Sequence, residues 1–152
     1  MESVRSGKHN RVVLTRPVVE ATESLGFLPG DVSQKIGPYM RPATDIAKGI
    51  DKEVPIEMIP LAYMRGLTLD SAVCVLDEAQ NCNRSQLKLY LSRLGQDSKM
   101  IICGDIDQVD ISNSGLLSAA RALCDIEDIA HFTFTQADNV RHPLINKMLG
   151  KL

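Results

Sequence analysis

Two carboxylates stand side by side at the end of an apolar run, where residues 73–76 lead directly into Asp77 and Glu78. A short run rich in β-branched residues and bounded by polar ones predicts a strand buried on both faces, with the carboxylates emerging at its end. Open α/β sheets bind ligands at the carboxyl ends of their strands. In nucleotide chemistry one such acid helps to hold Mg²⁺ and the other orients an attacking water. Capping of the following helix is the alternative role, and this stretch alone leaves the two balanced.

A second stretch repeats this design. The apolar run that starts at Lys99 ends in Gly104 and Asp105, and Gln108 follows shortly after. Gly104 would let the backbone turn sharply beside a ligand, and we expect Gln108 to reach a terminal phosphate or its attacking water. Two buried strands that deliver polar groups at their carboxyl ends, with one helix between them, favour a ligand site over an ordinary core.

Motifs along the chain resemble those of a known family. Residues 75–80 (VLDEAQ) resemble the Walker B motif of superfamily 1 helicase-like ATPases, and residues 104–108 (GDIDQ) resemble their motif III. Four further segments narrow the resemblance to the PhoH-like family of P-loop ATPases: residues 13–17, 25–31, 60–66 and 140–144. These motifs occur in the family's order, and the resemblance covers nearly the whole chain from about Arg11 onward.

The resemblance implies an ATP-binding protein or ATPase, linked to RNA or DNA metabolism, with ATP and Mg²⁺ as cofactors. Matching the motifs residue by residue assigns Asp77 to Mg²⁺, Glu78 to the attacking water and Gln108 to the γ-phosphate. Asp105 joins Asp77 as a nucleotide-site residue. Arg141 resembles a residue that stabilises transition-state charge, within its own subunit or on a neighbour's site. A structural bond from Arg141 to a strand-end carbonyl is the alternative.

Two more arginines are candidates for contact with phosphate. Arg16 follows the first predicted strand, and superfamily 1 enzymes place a similar residue against nucleic acid or the nucleotide. Arg65 leaves the end of the next predicted strand and is a candidate for phosphate or nucleic-acid contact. The alternatives are a surface salt bridge for Arg16 and plain solvation for Arg65.

One departure from the family pattern limits these expectations. The sequence contains no G-x-x-x-x-G-K-[ST] stretch, the loop whose backbone amides and Lys hold the phosphates. In the family this loop lies upstream, so we expect residues 1–10 to be the end of the helix that follows it, with the first strand and the loop missing. Two alternatives to a truncated ATPase stay open. One is an inactive fragment of such an enzyme, and the other is a nucleic-acid or protein-binding module that kept the fold.

The predicted elements alternate in a way typical of an α/β protein. The patterns predict strands at residues 11–15, 56–61, 73–76, 99–103 and 131–135. They predict helices at residues 18–25, 31–48, 83–95, 116–123 and 139–152, the second of them interrupted near Pro38 and resumed from Pro42 to Lys48. This order predicts a parallel RecA-like P-loop NTPase sheet flanked by helices, missing its N-terminal strand and phosphate loop. The strand before Asp105 and the strand at 131–135 would then each face a gap. Unpaired strand edges favour pairing with another chain, so we expect a marginal or oligomer-dependent fold.

Composition sets the remaining expectations. The chain has 152 residues, 44% of them hydrophobic, which predicts one domain spanning residues 1–152. The net charge is −2, so no basic excess indicates strong nucleic-acid binding, although RNA or single-stranded DNA remains a candidate partner beside the nucleotide. The four cysteines show no C-x-x-C spacing and are expected to be reduced core thiols. The sequence shows no signal peptide and no membrane-length apolar run, which predicts a cytoplasmic protein, with a homo-oligomer as a further candidate assembly.

Overall fold

The computed structural model describes residues 1–17, 45, 46, 48–138, 140, 142, 144, 145 and 148. The chain divides into two compact units, residues 1–121 and residues 122–152. Arg141 and the predicted helix at 18–25 lie outside the described residues, as do most of the predicted helices at 31–48 and 139–152. In the part of the chain that is described, no helix combines the length and the apolar character needed to cross a membrane.

A parallel sheet organises the first unit. Its strands are β1 (Arg11–Thr15), β2 (Ile56–Met58), β3 (Ala72–Leu76) and β4 (Lys99–Ile102), in the spatial order β2-β1-β3-β4. The predicted α/β fold with a parallel sheet flanked by helices is confirmed, and it is consistent with a RecA-like P-loop domain. Because the strands are parallel, their carboxyl ends meet at one edge of the sheet, where the registers pair Thr15 with Leu76 and Leu76 with Ile102.

The helices of the described residues are short. Those with both ends defined are α1 (Glu2–Arg5), α2 (Arg84–Leu91) and α3 (Leu116–Ala122), and residues 45, 46, 48–50, 144, 145 and 148 are also helical. The sequence predicted α2 as a helix that Gly95 would stop, but α2 ends at Leu91. Beyond α2, Leu94 forms an isolated parallel bridge with Leu69, and the Gly95 amide donates to the Leu69 carbonyl at 3.2 Å. The chain therefore leaves helical geometry early, because the residues after α2 bond to the segment before β3.

The core lies around the two central strands. Val13 of β1 and Cys74 and Leu76 of β3 are fully buried, as the apolar runs predicted. From α2, Leu87 and Tyr90 pack into the same cluster, and the Tyr90 hydroxyl donates to the Ile101 carbonyl of β4 at 3.3 Å. Burial of these apolar side chains is the main stabilising contribution in this unit.

One part of the prediction for β4 is wrong. The sequence indicated a strand buried on both faces, but Lys99 and Ile101 are exposed and only Met100 and Ile102 are partly buried. β4 is the edge strand of the described sheet, so neighbours cover it on one side only. An apolar run identifies a strand, but the number of packed neighbours decides how deeply that strand is buried.

The predicted strand at residues 131–135 is also wrong. These residues have no regular secondary structure, and Phe132 and Phe134 are each 86% exposed. Thr135 instead precedes a 3-10 turn (Gln136–Asp138), and its amide and hydroxyl both donate to Asp138 Oδ2, at 2.7 and 2.9 Å. These bonds lower the pKa of Asp138. Alternating residues form a strand only when a partner supplies the ladder, and here the local turn takes the polar groups of Thr135 instead.

The first turn of α2 gives a direct stability prediction. Asn83 forms a capping box with Gln86, in which Asn83 Oδ1 accepts from the Gln86 amide at 3.0 Å and Gln86 Oε1 accepts from the Asn83 amide at 2.9 Å. We expect Asn83→Ala to lower the free energy of unfolding by about 1 kcal/mol. The backbone amide of Gln86 loses its acceptor, and the reciprocal bond from the backbone amide of residue 83 to Gln86 Oε1 loses its support. Urea denaturation measures this, with Asn113→Ala in an exposed loop as the control. Equal midpoints for the two variants would show that the cap adds nothing.

Candidate functional site

Arg16, directly after β1, binds both acids that follow β3. Its Nε lies 3.1 Å from Asp77 Oδ2, and its Nη2 lies 2.6 Å from Glu78 Oε1. The Asp77 amide also donates to the Thr15 carbonyl at 2.9 Å, which fixes the acid beside the end of β1. The side chain of Arg16 is 18% exposed, and those of Asp77 and Glu78 are 39% and 41% exposed. A planar guanidinium with several donors suits two neighbouring carboxylates, so the acids share one cation at the rim of the sheet.

Glu78 has a backbone conformation that few residues adopt. Its φ is 56° and its ψ is 38°, in the left-handed region that disfavours side chains with a Cβ. Such a conformation costs on the order of 1–3 kcal/mol and persists only where surrounding contacts enforce it. Here it turns the chain from β3 into a buried 3-10 turn, Ala79–Asn81. The turn brings the side chain of Gln80 back to Glu78, whose Oε2 accepts from Gln80 Nε2 at 2.6 Å.

Gln80 joins the two polar strand ends. It is 2% exposed, and its Oε1 accepts from the Asp105 amide at 3.0 Å while its Nε2 donates to Glu78. The Ala79 amide adds a parallel link, because it donates to the Cys103 carbonyl at 2.9 Å. No role for Gln80 was predicted from the sequence. The available signal was an amide two positions after an acid pair, at a strand end where a buried polar side chain needs partners.

Asp105 and Gln108 lie at the same edge of the sheet. Asp105 Oδ2 accepts from Gln108 Nε2 at 2.7 Å, and Asp105 Oδ1 accepts from the Asp107 amide at 2.9 Å. The Gln108 amide donates to the Asp105 carbonyl at 3.2 Å. Hydrogen bonds therefore run without a break from Glu78 through Gln80 and Asp105 to Gln108. The structure brings together four sequence-predicted site residues, Arg16, Asp77, Glu78 and Asp105, and links Gln108 to them through Asp105.

Gly104 serves a purpose other than the predicted sharp turn. The glycines with positive φ among the described residues are Gly7 and Gly66, so Gly104 has an ordinary backbone conformation. A Cβ at Gly104 would lie 2.6 Å from Leu116 Cδ2 and 2.9 Å from Gln80 Oε1. It would also lie 3.0 Å from the Gln80 amide nitrogen. The small residue is required because Gln80 and α3 approach the backbone closely there.

Asn81 holds the loop beyond Gln108. Its Nδ2 donates to Asp110 Oδ2 at 2.9 Å, and its Oδ1 accepts from the Asp110 amide at 2.9 Å. Asn81 is 7% exposed. The loop then returns to the helix start, where the Gly115 amide donates to the Cys82 carbonyl at 2.7 Å. The segment after β4 is thus fastened along its length to the segment after β3.

Arg65 lies in a different place from these acids. It lines an open groove beside α2 together with Lys88, Ser85 and Ser92, and the lining of that groove includes neither Asp77 nor Glu78. The groove carries two cationic side chains and two hydroxyls. Arg65 therefore does not share a groove with the acid pair, and its predicted contact with phosphate stays a prediction.

The cysteines are free thiols, and only some of them are in the core. Cys74 and Cys82 are buried as predicted, but Cys103 and Cys124 are exposed, so the prediction of core thiols is wrong for those two. Cys103 lies directly after β4, and Cys124 lies shortly after α3. Burial raises the pKa of Cys74 to about 11 and that of Cys82 to about 12. These two thiols stay protonated at neutral pH, unsuited to bind metal or act as nucleophiles.

The acid pair after β3 offers partly exposed carboxylates to a hard cation. In the described residues no group of three or more His, Cys, Asp or Glu side chains is placed to hold a metal. Mg²⁺ is usually held by only one or two carboxylates, with water and substrate phosphates completing its shell. The partly exposed Asp77 could therefore bind Mg²⁺ as a single protein ligand. The ion pair between Arg16 Nε and Asp77 Oδ2 would have to break to free that oxygen.

Comparison with known proteins identifies the family. A family model described as "PhoH-like protein" matches residues 1–151. The chain is 45% identical over 161 aligned positions to a PhoH-like protein of Bacillus subtilis (strain 168), covering 98% of this chain and 50% of that protein. It is 47% identical to a PhoH-like protein of Synechocystis sp. (strain ATCC 27184 / PCC 6803 / Kazusa), covering 98% and 49%. For Protein PhoH of Escherichia coli (strain K12) the identity is 39%, covering 92% and 44%. The chain spans about half the length of the curated relatives it matches, and it belongs to the PhoH-like protein family.

Proposed function

We propose that this chain carries the part of an ATP-hydrolysing site that binds the metal and orients the water, in a protein that acts in RNA or DNA metabolism. The observation that supports this most directly is the shared edge of the sheet. Asp77 and Glu78 end β3, Asp105 and Gln108 follow β4, and the two strands are paired in parallel. If Gln108 lay at the opposite edge of the sheet from the two acids, these residues could not act on the same nucleotide.

Each residue has a role that its position supports. Asp77 binds Mg²⁺, which in such sites neutralises phosphate charge and orients the phosphates. Glu78 orients the attacking water, since each of its oxygens retains acceptor capacity beyond its bond to Arg16 or Gln80. Gln108 donates to the γ-phosphate from the edge of the sheet. Arg141 is proposed to stabilise transition-state charge, and it lies outside the described residues.

The competing interpretation is an inactive fragment or a binding module that retains the fold. The distinguishing test is to read the gene in frame upstream of Met1, and to compare the intact mass of the native protein with that of the 152-residue chain. A G-x-x-x-x-G-K-[ST] codon run upstream, together with Mg²⁺-dependent ATP hydrolysis by the longer polypeptide, is the expected result. A native protein of 152 residues with no hydrolysis would favour the fragment or the binding module.

For the 152-residue chain alone we expect very weak ATP binding. The phosphate loop supplies several backbone bonds and a charge-assisted bond from Lys, and bonds to charged groups are worth roughly 1.5–3 kcal/mol each. Without that loop in the sequence, the dissociation constant for Mg-ATP should be on the order of millimolar or weaker. Isothermal titration of the chain with Mg-ATP measures it. A micromolar constant would mean that the described residues hold the phosphates by other means.

The groove beside α2 supports a polyanion partner, and we propose single-stranded RNA or DNA. Arg65 and Lys88 are exposed there and no acidic side chain lines the groove. We expect Arg65→Ala to weaken binding of a fluorescent single-stranded oligonucleotide about threefold or more at low salt, because one phosphate contact is lost. Fluorescence anisotropy measures the affinity, with Arg121→Ala at the end of α3 as the control of equal charge change. Equal losses in both variants would indicate general attraction by charge, without a specific groove.

A further inference from the structure

Gln80 is a buried amide with both ends in use. It is 2% exposed, its Nε2 donates to Glu78 Oε2 at 2.6 Å, and its Oε1 accepts from the Asp105 amide at 3.0 Å. A buried amide without partners is costly, so Gln80 stays in place only while both neighbours keep their positions. A change at either neighbour therefore leaves one end of Gln80 unsatisfied.

The surroundings leave Gln80 little room to adjust. On one side the backbone of Gly104 lies so close that a Cβ there would be 2.9 Å from Gln80 Oε1. Its sequence neighbours are fixed as well, because the Ala79 amide bonds to the Cys103 carbonyl and Asn81 bonds twice to Asp110. Three consecutive residues of the turn thus bind three points of the segment after β4. Because three contacts join the turn to this segment, rotation of one side chain cannot accommodate a displacement of the turn. The segment after β4 therefore moves with the turn.

The Glu78 carboxylate, in contrast to Gln80, can change its partners. Its Oε1 is bound to Arg16, and the carboxylate is 41% exposed, so solvent or a ligand can reach it. If Glu78 moves toward a water or a cation, the Nε2 donor of Gln80 follows it or loses its partner. Oε1 and Nε2 belong to the same planar side-chain amide of Gln80. Movement of Nε2 therefore displaces Oε1, which is the acceptor of the Asp105 backbone amide.

We propose that Gln80 is a positioning residue that couples the orientation of the Glu78 carboxylate to the position of residues 105–108. The two polar strand ends then respond as one unit, and Gln108 is displaced when Glu78 changes partners. This inference deepens the proposed hydrolytic site and rests on it for its purpose. The coupling itself requires neither nucleotide nor metal, so it is testable separately.

The experiment is a double-mutant cycle read by hydrogen exchange of the Asp105 amide in the full chain. The cycle compares the unsubstituted chain, Glu78→Ala, Gln80→Met and the double variant. We expect Glu78→Ala and Gln80→Met each to accelerate exchange at Asp105 about fivefold, the effect of losing one hydrogen bond. In the Gln80→Met background, Glu78→Ala should add less than about twofold, since its route to Asp105 is already broken.

Two controls separate coupling from general destabilisation. The amide of Cys74, in the centre of the sheet, reports global opening, and its exchange should change less than about twofold in every variant. Gln86→Met makes the same chemical change in the capping box of α2, and it should leave the Asp105 amide unaffected. Independent, additive effects of Glu78→Ala and Gln80→Met at Asp105 would overturn the proposal. Equal acceleration at Asp105 and Cys74 would also overturn it.

If Gln80→Met does not fold, Glu78→Ala alone decides the question. Acceleration confined to Asp105 and its neighbours supports the coupling, and an unchanged Asp105 amide refutes it. Failure of the unsubstituted chain to bind Mn²⁺ would count against the proposed function and leave the cycle readable. The two ideas can therefore fail independently.

Discussion

Arg16→Met is expected to raise the affinity of the chain for Mn²⁺ about tenfold, and Asp77→Asn to lower it about tenfold. A unit charge about 4 Å away changes an interaction by about 1–4 kcal/mol between bulk water and a protein surface, and tenfold in affinity corresponds to 1.4 kcal/mol. Arg16 now occupies Asp77 Oδ2, so its removal frees a carboxylate oxygen and makes the site more negative. Methionine keeps much of the length of the arginine stem.

Titration followed by electron paramagnetic resonance of free Mn²⁺ measures these constants. Arg65→Met is the matched control for Arg16→Met, because it removes the same charge from the groove beside α2. Asp125→Asn, at an exposed position, is the control for Asp77→Asn. Unchanged or weaker Mn²⁺ binding by Arg16→Met would show that Arg16 supports the acids more than it competes with the metal.

Gly104→Ala is expected to lower the free energy of unfolding by about 1–3 kcal/mol, the usual cost of extra volume in a packed site. The new Cβ would lie 2.6 Å from Leu116 Cδ2 and 3.0 Å from the backbone nitrogen of Gln80. The side chain of Leu116 can shift, but the backbone of a buried turn cannot do so without disturbing its hydrogen bonds. The Asp105 to Gln80 bond should therefore be lost together with packing.

Urea denaturation followed by circular dichroism measures the change. Gly49→Ala is the matched control, because nothing lies within 4 Å of a Cβ at Gly49 and its φ is not positive. That variant should stay within about 0.5 kcal/mol of the unsubstituted chain, or be slightly more stable. A Gly104→Ala chain that is largely unfolded fits the expectation, whereas equal midpoints for both variants would contradict it.

The proposed roles depend on how Arg16 responds to a ligand. In the structure the single charge of Arg16 offsets part of the charge of the two acids, which reduces the repulsion between adjacent carboxylates at one rim. A metal with phosphates would bring its own positive and negative charge to the same place. We propose that Arg16 then leaves Asp77 and contacts phosphate, which would reconcile its observed ion pairs with its predicted place beside the nucleotide.

The sequence determined those features that depend on local chemistry. The apolar runs at 11–15 and 73–76 identified β1 and β3, because an uninterrupted β-branched run buried on both faces has few other conformations available. Asn83 identified the start of α2, since an amide side chain satisfies free amides of a first turn. The polar residues after β3 and β4 identified the candidate edge of the sheet, because the carboxyl ends of parallel strands lie at the same edge.

Only the tertiary structure decided which groups meet. The alternation at residues 131–135 was strand-like, yet no ladder partner takes up their polar groups and Thr135 bonds to Asp138 instead. Gly104 gave a signal for a turn, whereas its small size matters because Gln80 packs against it. Gln80 stands two positions after the acid pair, but that spacing does not show which groups its amide contacts. Its role arises because the parallel pairing of β3 and β4 brings Glu78 and Asp105 to the two ends of one amide, and such long-range contacts leave no local pattern in a sequence.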